Sequence, residues 1–288
     1  MTGVQTCALP IYVYHLQFDL YQPGYIIYTD KYALMTSNGD KTHLIAGNSA
    51  ENGYKGGVGE EARFGAIHGI THISKRLVVV VDTSNHCLRV IERTTRSTSV
   101  LSGICRGSPG YQDGRLARFN VPLSVVVDQK DKHQLHVTDF FNKAVRTVNV
   151  KSRIVSTFVK SDSFTRLNFM TQHKQTGDLY VTSDRSVFKI AYVTKKITLI
   201  SANPYGNDPF KELYGLIFIS HDTLLLADYS NNKLRLLDTH THEATTLNVS
   251  NASNNLRLPI SILLTDNCLY VGQFHQIVKY QCKYVLFQ

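Results

Sequence analysis

Along the chain, short β-branched or aromatic-rich runs alternate with polar turns, and no stretch sustains a 3.6-residue apolar period. Such runs, bounded by Gly, Asn, Asp, Pro or Ser, predict short strands, and the missing helical period predicts very little helix. The runs also end alike. IIYTD (Asp30), VVVVD (Asp82), LHVTD (Asp139), LYVTS (Ser183), LLLAD (Asp228) and LYVG (Gly272) each stop before a turn, at intervals of 52, 57, 44, 45 and 44 residues. Six anchors at nearly one spacing mark a repeat.

The register continues past the anchor. Asp82-x-x-Asn85-x-x-Leu88-Arg89 matches Asp139-x-x-Asn142-x-x-Val145-Arg146 and Asp228-x-x-Asn231-x-x-Leu234-Arg235. The fourth unit keeps Val187 and Lys189 but is a residue shorter, and the first and sixth keep only the apolar skeleton. The second unit predicts strands at 66–73, 77–81, 87–92 and 97–102. The third predicts 121–127, 134–138, 144–150 and 153–158, and the fifth 214–219, 223–227, 233–237 and 243–247. One four-stranded sheet cannot bury both its faces alone, but six packed radially can. The expectation is an all-β fold, a six-bladed β-propeller of four-stranded antiparallel blades. The blades fall at about 12–46, 64–103, 119–159, 164–201, 212–248 and 256–288, one domain over 12–288. Residues 1–11 (MTGVQTCALPI) fit no unit and resemble a translated adapter remnant, so they are expected to be a non-native leader.

Composition narrows the class. Hydrophobic residues at 43% and charged residues at 18% suit a large core and exclude a disordered chain. No apolar run is long enough to cross a bilayer as a helix. The formal net charge is +9, and residues 61–159 alone hold 15 Lys and Arg against 7 Asp and Glu. Most of the basic excess therefore lies in the second and third units. Arg63, Arg106, Arg115 and Arg118 fall in inter-blade loops, and Arg93, Arg96, Lys151 and Arg153 near outer turns.

The segment Asn85-His86-Cys87-Leu88-Arg89, preceded by VVVVD, is similar to the NHL-repeat core. Gly53-Tyr54-Lys55-Gly56-Gly57 leading to Ala62-Arg63-Phe64, and Gly110-Tyr111-Gln112-Asp113-Gly114 leading to Ala117-Arg118-Phe119-Asn120-Val121-Pro122, resemble the inter-blade loop of NHL propellers of extracellular metazoan proteins. The resemblance implies a six-bladed propeller used mainly for binding. NHL propellers also serve in RNA-binding ubiquitin ligases and in the peptidylglycine amidating lyase.

Asp82, Asn85, Asp139, Asn142, Asp228 and Asn231 could supply oxygens to Ca²⁺, but their recurrence once per blade points to Asx bonding within a turn. A lyase-like Zn²⁺ site needs several His converging from inner strands. Aligning those strands sets His68 level with Leu123, Tyr214 and Ile260, and His72 and His173 are not equivalent, so no metal, cofactor or catalytic residue is expected. His68 is a channel-lining candidate. Phe140, Phe141, Arg185, Tyr229, Phe274 and His275 occupy turns between second and third strands and, with Arg63 and Arg118, form the candidate binding rim. The long loops 46–63, 103–118 and 201–212 reach the same face.

Cys87 with Cys105, and Cys268 with Cys282, flank neighbouring strands and predict two local disulfides, hence an oxidising compartment; four buried thiols are the alternative. Asn248 and Asn251 head two glycosylation sequons. The expectation is a non-catalytic, monomeric binding scaffold, extracellular or in a membrane-protein ectodomain and open to membership of a longer protein. It would recognise a protein or an anionic glycan through the loop-rich face. The alternatives are a cytoplasmic RNA-binding propeller that uses the basic second and third blades, and a lyase-like metalloenzyme.

Overall fold

The computed structural model describes residues 6–7, 13–201, 209–249, 256–265 and 267–281. They form six antiparallel sheets, one per repeat, each built in simple hairpin order. The inner strands are Leu16–Phe18, Ile67–His72, Pro122–Val127, Leu167–Gln172, Leu213–Phe218 and Pro259–Leu264. Each touches the inner strands of the neighbouring units, and the sixth returns to the first, so the ring is a closed six-bladed β-propeller. Among the described residues the sixth sheet takes three strands from its own unit, and Thr6–Cys7 pairs with its outer edge, Thr6 opposite Val278 and Cys7 opposite Ile277.

Radial stacking explains the unbroken apolar runs. Val78, Val79, Val80 and Val81 are all fully buried, because alternate side chains pack against different neighbouring blades. A strand buried on both faces has no solvent side on which to alternate. The inner strands of blades 2 to 5 share a bulge, at Ile67/Ile70, Pro122/Val125, Leu167/Met170 and Leu213/Leu216. Threonines of the recurrent V-T-D and V-T-S endings use the amides this frees. Ser124 N–H donates to Thr138 Oγ1 (2.9 Å), whose hydroxyl donates to the Asn168 carbonyl of the next blade (2.9 Å). Phe169 N–H and the Tyr214 carbonyl make the same links to Thr182 Oγ1, at 3.0 and 2.8 Å. Neighbouring inner strands approach so closely that a Cβ on Gly69 would lie 2.5 Å from the Leu123 carbonyl oxygen, and one on Gly215 2.6 Å from that of Ile260.

Several expectations change. In blade 4 the residue in the register of Arg89, Arg146 and Arg235 is Phe188, not Lys189. The two-residue turn between Ser183 and Ser186 shortens the hairpin ahead of it. The loops 46–63 and 103–118 do not stand free on the rim. Gly57–Val58 adds a fifth strand to the outer edge of blade 2, and Gly114 bridges Val155 on the outer strand of blade 3. Each loop thus covers an edge that would otherwise expose unpaired backbone groups.

Cys87 and Cys105 form a disulfide across 18 residues. Closing a loop of that length contributes about 3 kcal/mol. The Cys87→Ser/Cys105→Ser variant should lose that amount in urea unfolding, and reducing agent should move the wild type to the same midpoint. The second expected pair is corrected. Cys268 is a free, half-buried thiol with Gln281 opposite it in the ladder, and Cys282 lies outside the described residues.

Candidate functional site

The turn after each second strand is built by the repeated Asp and Asn. In blades 2, 3 and 5 a single 3₁₀ turn follows the Asp, and the next residue, His86, Lys143 or Asn232, closes it at φ of 56°, 52° and 55°. Asn85 Nδ2 donates to Asp82 Oδ1 (2.9 Å) and to the Gly53 carbonyl (2.8 Å) of the preceding loop. Asn142 does the same with Asp139 and Gly110, and Asn231 with Asp228 and Pro209, all at 2.8 Å. Oδ1 of each Asp accepts a loop amide, for example Asn120 N–H onto Asp139 Oδ1 at 2.7 Å. These side chains hold the inter-blade loop.

The repeated Arg completes the unit. Arg89 and Arg146 are buried in ion pairs with Asp82 (3.3 Å) and Asp139 (2.8 Å). Each guanidinium sits between two rings supplied by the loop: Tyr54 and Phe64 about Arg89, Tyr111 and Phe119 about Arg146, with centroids at 4.8 to 5.2 Å. Arg89 also donates to the Lys55 and Arg63 carbonyls, and Arg146 to those of Gln112 and Arg118. The D-x-x-N-x-x-φ-R run and the G-Y…A-R-F loop are therefore two halves of one structural lock. Blade 4 solves the same problem without charge: Ser183 Oγ accepts the loop amide of Thr165 (3.0 Å), and Phe188 packs edge-on against Phe164 (5.3 Å).

The rim candidates fall into two groups. Phe141, Arg185 and His275 are exposed on the turns of blades 3, 4 and 6. Phe140, Tyr229 and Phe274 are half-buried; Tyr229 packs on Tyr214 at 4.9 Å, and Phe274 lies against the core between blades 4 and 5. Arg63 pairs with Glu51 (2.7 Å), and Arg118 donates to the Ser108 carbonyl (3.1 Å), both within their loops. Arg93 is no rim residue: it is buried in an ion pair with Asp19 that ties blade 2 to blade 1. Asn248 is exposed, and Asn251 lies outside the described residues. Between blades 1 and 2 this face holds a pocket of about 410 Å³ lined by Tyr14, Lys31, Tyr32, Ser84, Asn85 and Arg106 among others.

Rings plug the channel. His68 stacks on Tyr14 at 4.0 Å. One residue further along the strands, His15 of blade 1 and Phe169 of the opposite blade 4 approach to 5.9 Å, and the same level in the other blades holds Gly69, Ser124, Gly215 and Ser261. Burial lowers the pKa of both His15 and His68 to about 4, so both imidazoles are neutral at pH 7. Burial also raises Tyr214, with the Glu212 carboxylate adding to the shift.

Beyond the plug, on the face opposite the long loops, lies a cavity of about 820 Å³. Its walls include one residue from each blade: Gln17, Thr71, Val126, Thr171, Ile217 and Leu263. The sequence reading missed it. The signal lay one residue past the His68 level, where two rings face four Gly or Ser residues. Among the described residues, no group of three His, Cys, Asp or Glu side chains could hold a metal, and no helix is long and apolar enough to cross a membrane.

No protein-family model and no curated protein matches the chain. Solved structures share the propeller. A nidogen/laminin complex aligns with a TM-score of 0.62 at 12% identity, over 82% of this chain and 80% of that one. An auxiliary nutrient binding protein from Bacteroides ovatus aligns at 0.68 and 14%, over 94% and 69%. Virginiamycin B lyase from Staphylococcus aureus aligns at 0.65 and 10%, over 98% and 99%. At these identities the likeness is one of fold: the chain is a six-bladed β-propeller.

Proposed function

We propose that the chain is a non-catalytic propeller of NHL-repeat type that recognises a protein through its turn-and-loop face, in an oxidising compartment. The observation that carries this is the display of exposed Phe141, Arg185 and His275 around one mouth, on hairpin turns rooted in rigid blades. Exposed aromatic and Arg side chains on pre-ordered turns suit protein recognition, because little conformational entropy is lost on binding. The Cys87–Cys105 disulfide supports the compartment. The nidogen/laminin complex and the nutrient binding protein show that this fold accommodates binding roles.

A photocrosslinking residue at position 141 or 185 should capture a partner from conditioned medium, whereas one at Lys75, on the opposite face, should not. The Phe141→Ala/Arg185→Glu variant should then bind the isolated partner at least about tenfold more weakly, with an unchanged melting temperature. A partner captured only from Lys75, or affinity unaltered in the double variant, would overturn the proposal.

A further inference from the structure

We infer that the cavity on the face opposite the long loops binds a small organic anion: an apolar body carrying one carboxylate, sulfonate or phosphate group. Three observations converge on it. Its volume, about 820 Å³, falls within the range of small-molecule sites. Its wall is predominantly apolar, with Val126, Ile217, Leu263 and Met170 below and the exposed Phe18 and Leu20 (43% and 51%) at the blade 1 side of the mouth.

Charge is the third observation. Lys75, Lys132 and Lys174 line the mouth from the first turns of blades 2, 3 and 4, and among the described residues no Asp or Glu lines the cavity. All three lysines are exposed. A cavity bordered by one sign of charge over low-dielectric walls concentrates a counter-charged ligand. The apolar edge at blade 1 and the cationic edge at blades 2 to 4 give the site a direction, with the anionic group toward the lysines.

The site also accounts for part of the basic excess in blades 2 and 3: Lys75 and Lys132 belong to it, whereas Arg89 and Arg146 are consumed by the loop locks. The site is independent of the opposite face, so it stands or falls separately from protein recognition there.

The test uses the protein and two probes with one apolar body, 1-anilinonaphthalene-8-sulfonate and the uncharged N-phenyl-1-naphthylamine. The sulfonate should bind saturably at one site per chain. Lys75→Gln/Lys132→Gln/Lys174→Gln should weaken the sulfonate roughly tenfold, as three partly screened charges are lost together, and change the neutral probe less than about twofold. Thr171→Trp, which fills the wall, should abolish binding of both, and Ile217→Trp serves as a second wall variant if the first misfolds. Unsaturable sulfonate binding, equal loss of both probes in the lysine variant, or binding unchanged in both wall variants would overturn the assignment.

Discussion

Asp82→Ala is expected to cost about 3–5 kcal/mol, the usual consequence of leaving a buried cation without its partner. Arg89 is 1% exposed, and Asp82 is its only carboxylate among the ion pairs of the described residues. Loss of Asp82 also leaves Asn85 Nδ2 with the Gly53 carbonyl alone and strands the Gly65 amide, which donates to Asp82 at 2.8 Å. Chemical denaturation should therefore show a lower midpoint. Native-state hydrogen exchange should show the 48–65 loop opening before the blades. Blade 4 supplies the control, since Ser183 and Phe188 occupy the equivalent positions there. Asp82→Ser/Arg89→Phe should recover most of the loss: a flat ring replaces a flat guanidinium between Tyr54 and Phe64, and the serine hydroxyl still accepts a loop amide. A double variant no more stable than Asp82→Ala would show that the charged and apolar locks are not interchangeable.

Acidification is the second large lever. His15 and His68 are held neutral, with pKa values lowered to about 4 from 6.5 by burial. The unfolded chain takes up these protons first, so their contribution is fully present above pH 6.5 and is lost as pH falls toward 4. Each histidine accounts for of order 3 kcal/mol across that window. Urea midpoints measured from pH 7 to 4 should fall, His15 and His68 contributing up to about two protons per molecule to the slope and His72 and His86, also lowered by burial, adding to it. His15→Phe/His68→Phe should flatten that slope, because a ring of similar size keeps the plug but cannot take up a proton. Parallel profiles for wild type and double variant would mean that both imidazoles titrate normally in the fold.

The two predictions differ in how much of their basis was visible in the sequence. The lock was half visible. Asp82, Asn85 and Arg89 lie within eight residues on one hairpin, so their recurrence could be read directly as turn chemistry. Arg89 recurs in register with them. That its partner is Asp82, and that Tyr54 and Phe64 enclose it, required knowledge of which loop returns over which blade. The loops show the same limit: G-Y-x-D-G was legible as a motif, but its place along the outer edge of the following blade was not. Cys87–Cys105 was legible because it joins neighbouring strands. The same reasoning failed for Cys268, where the ladder sets Gln281 opposite.

What the sequence determined by itself is everything carried by short-range order: the strands, the six-fold repeat, the ring that repeat requires and the Asx turns. Backbone conformation and hairpin pairing depend on residues a few positions apart, so their pattern survives in one dimension. Only the tertiary structure decided the channel and the cavity beyond it. The cavity walls take three to five residues from each of six blades, and His15 meets Phe169 across 154 positions of chain. No local period records such a meeting, because the residues share a level in the ring rather than a stretch of sequence. The ring also decided where the basic excess of blades 2 and 3 goes. Part of it is buried as structural guanidinium, and part faces the cavity on the side that the long loops leave open.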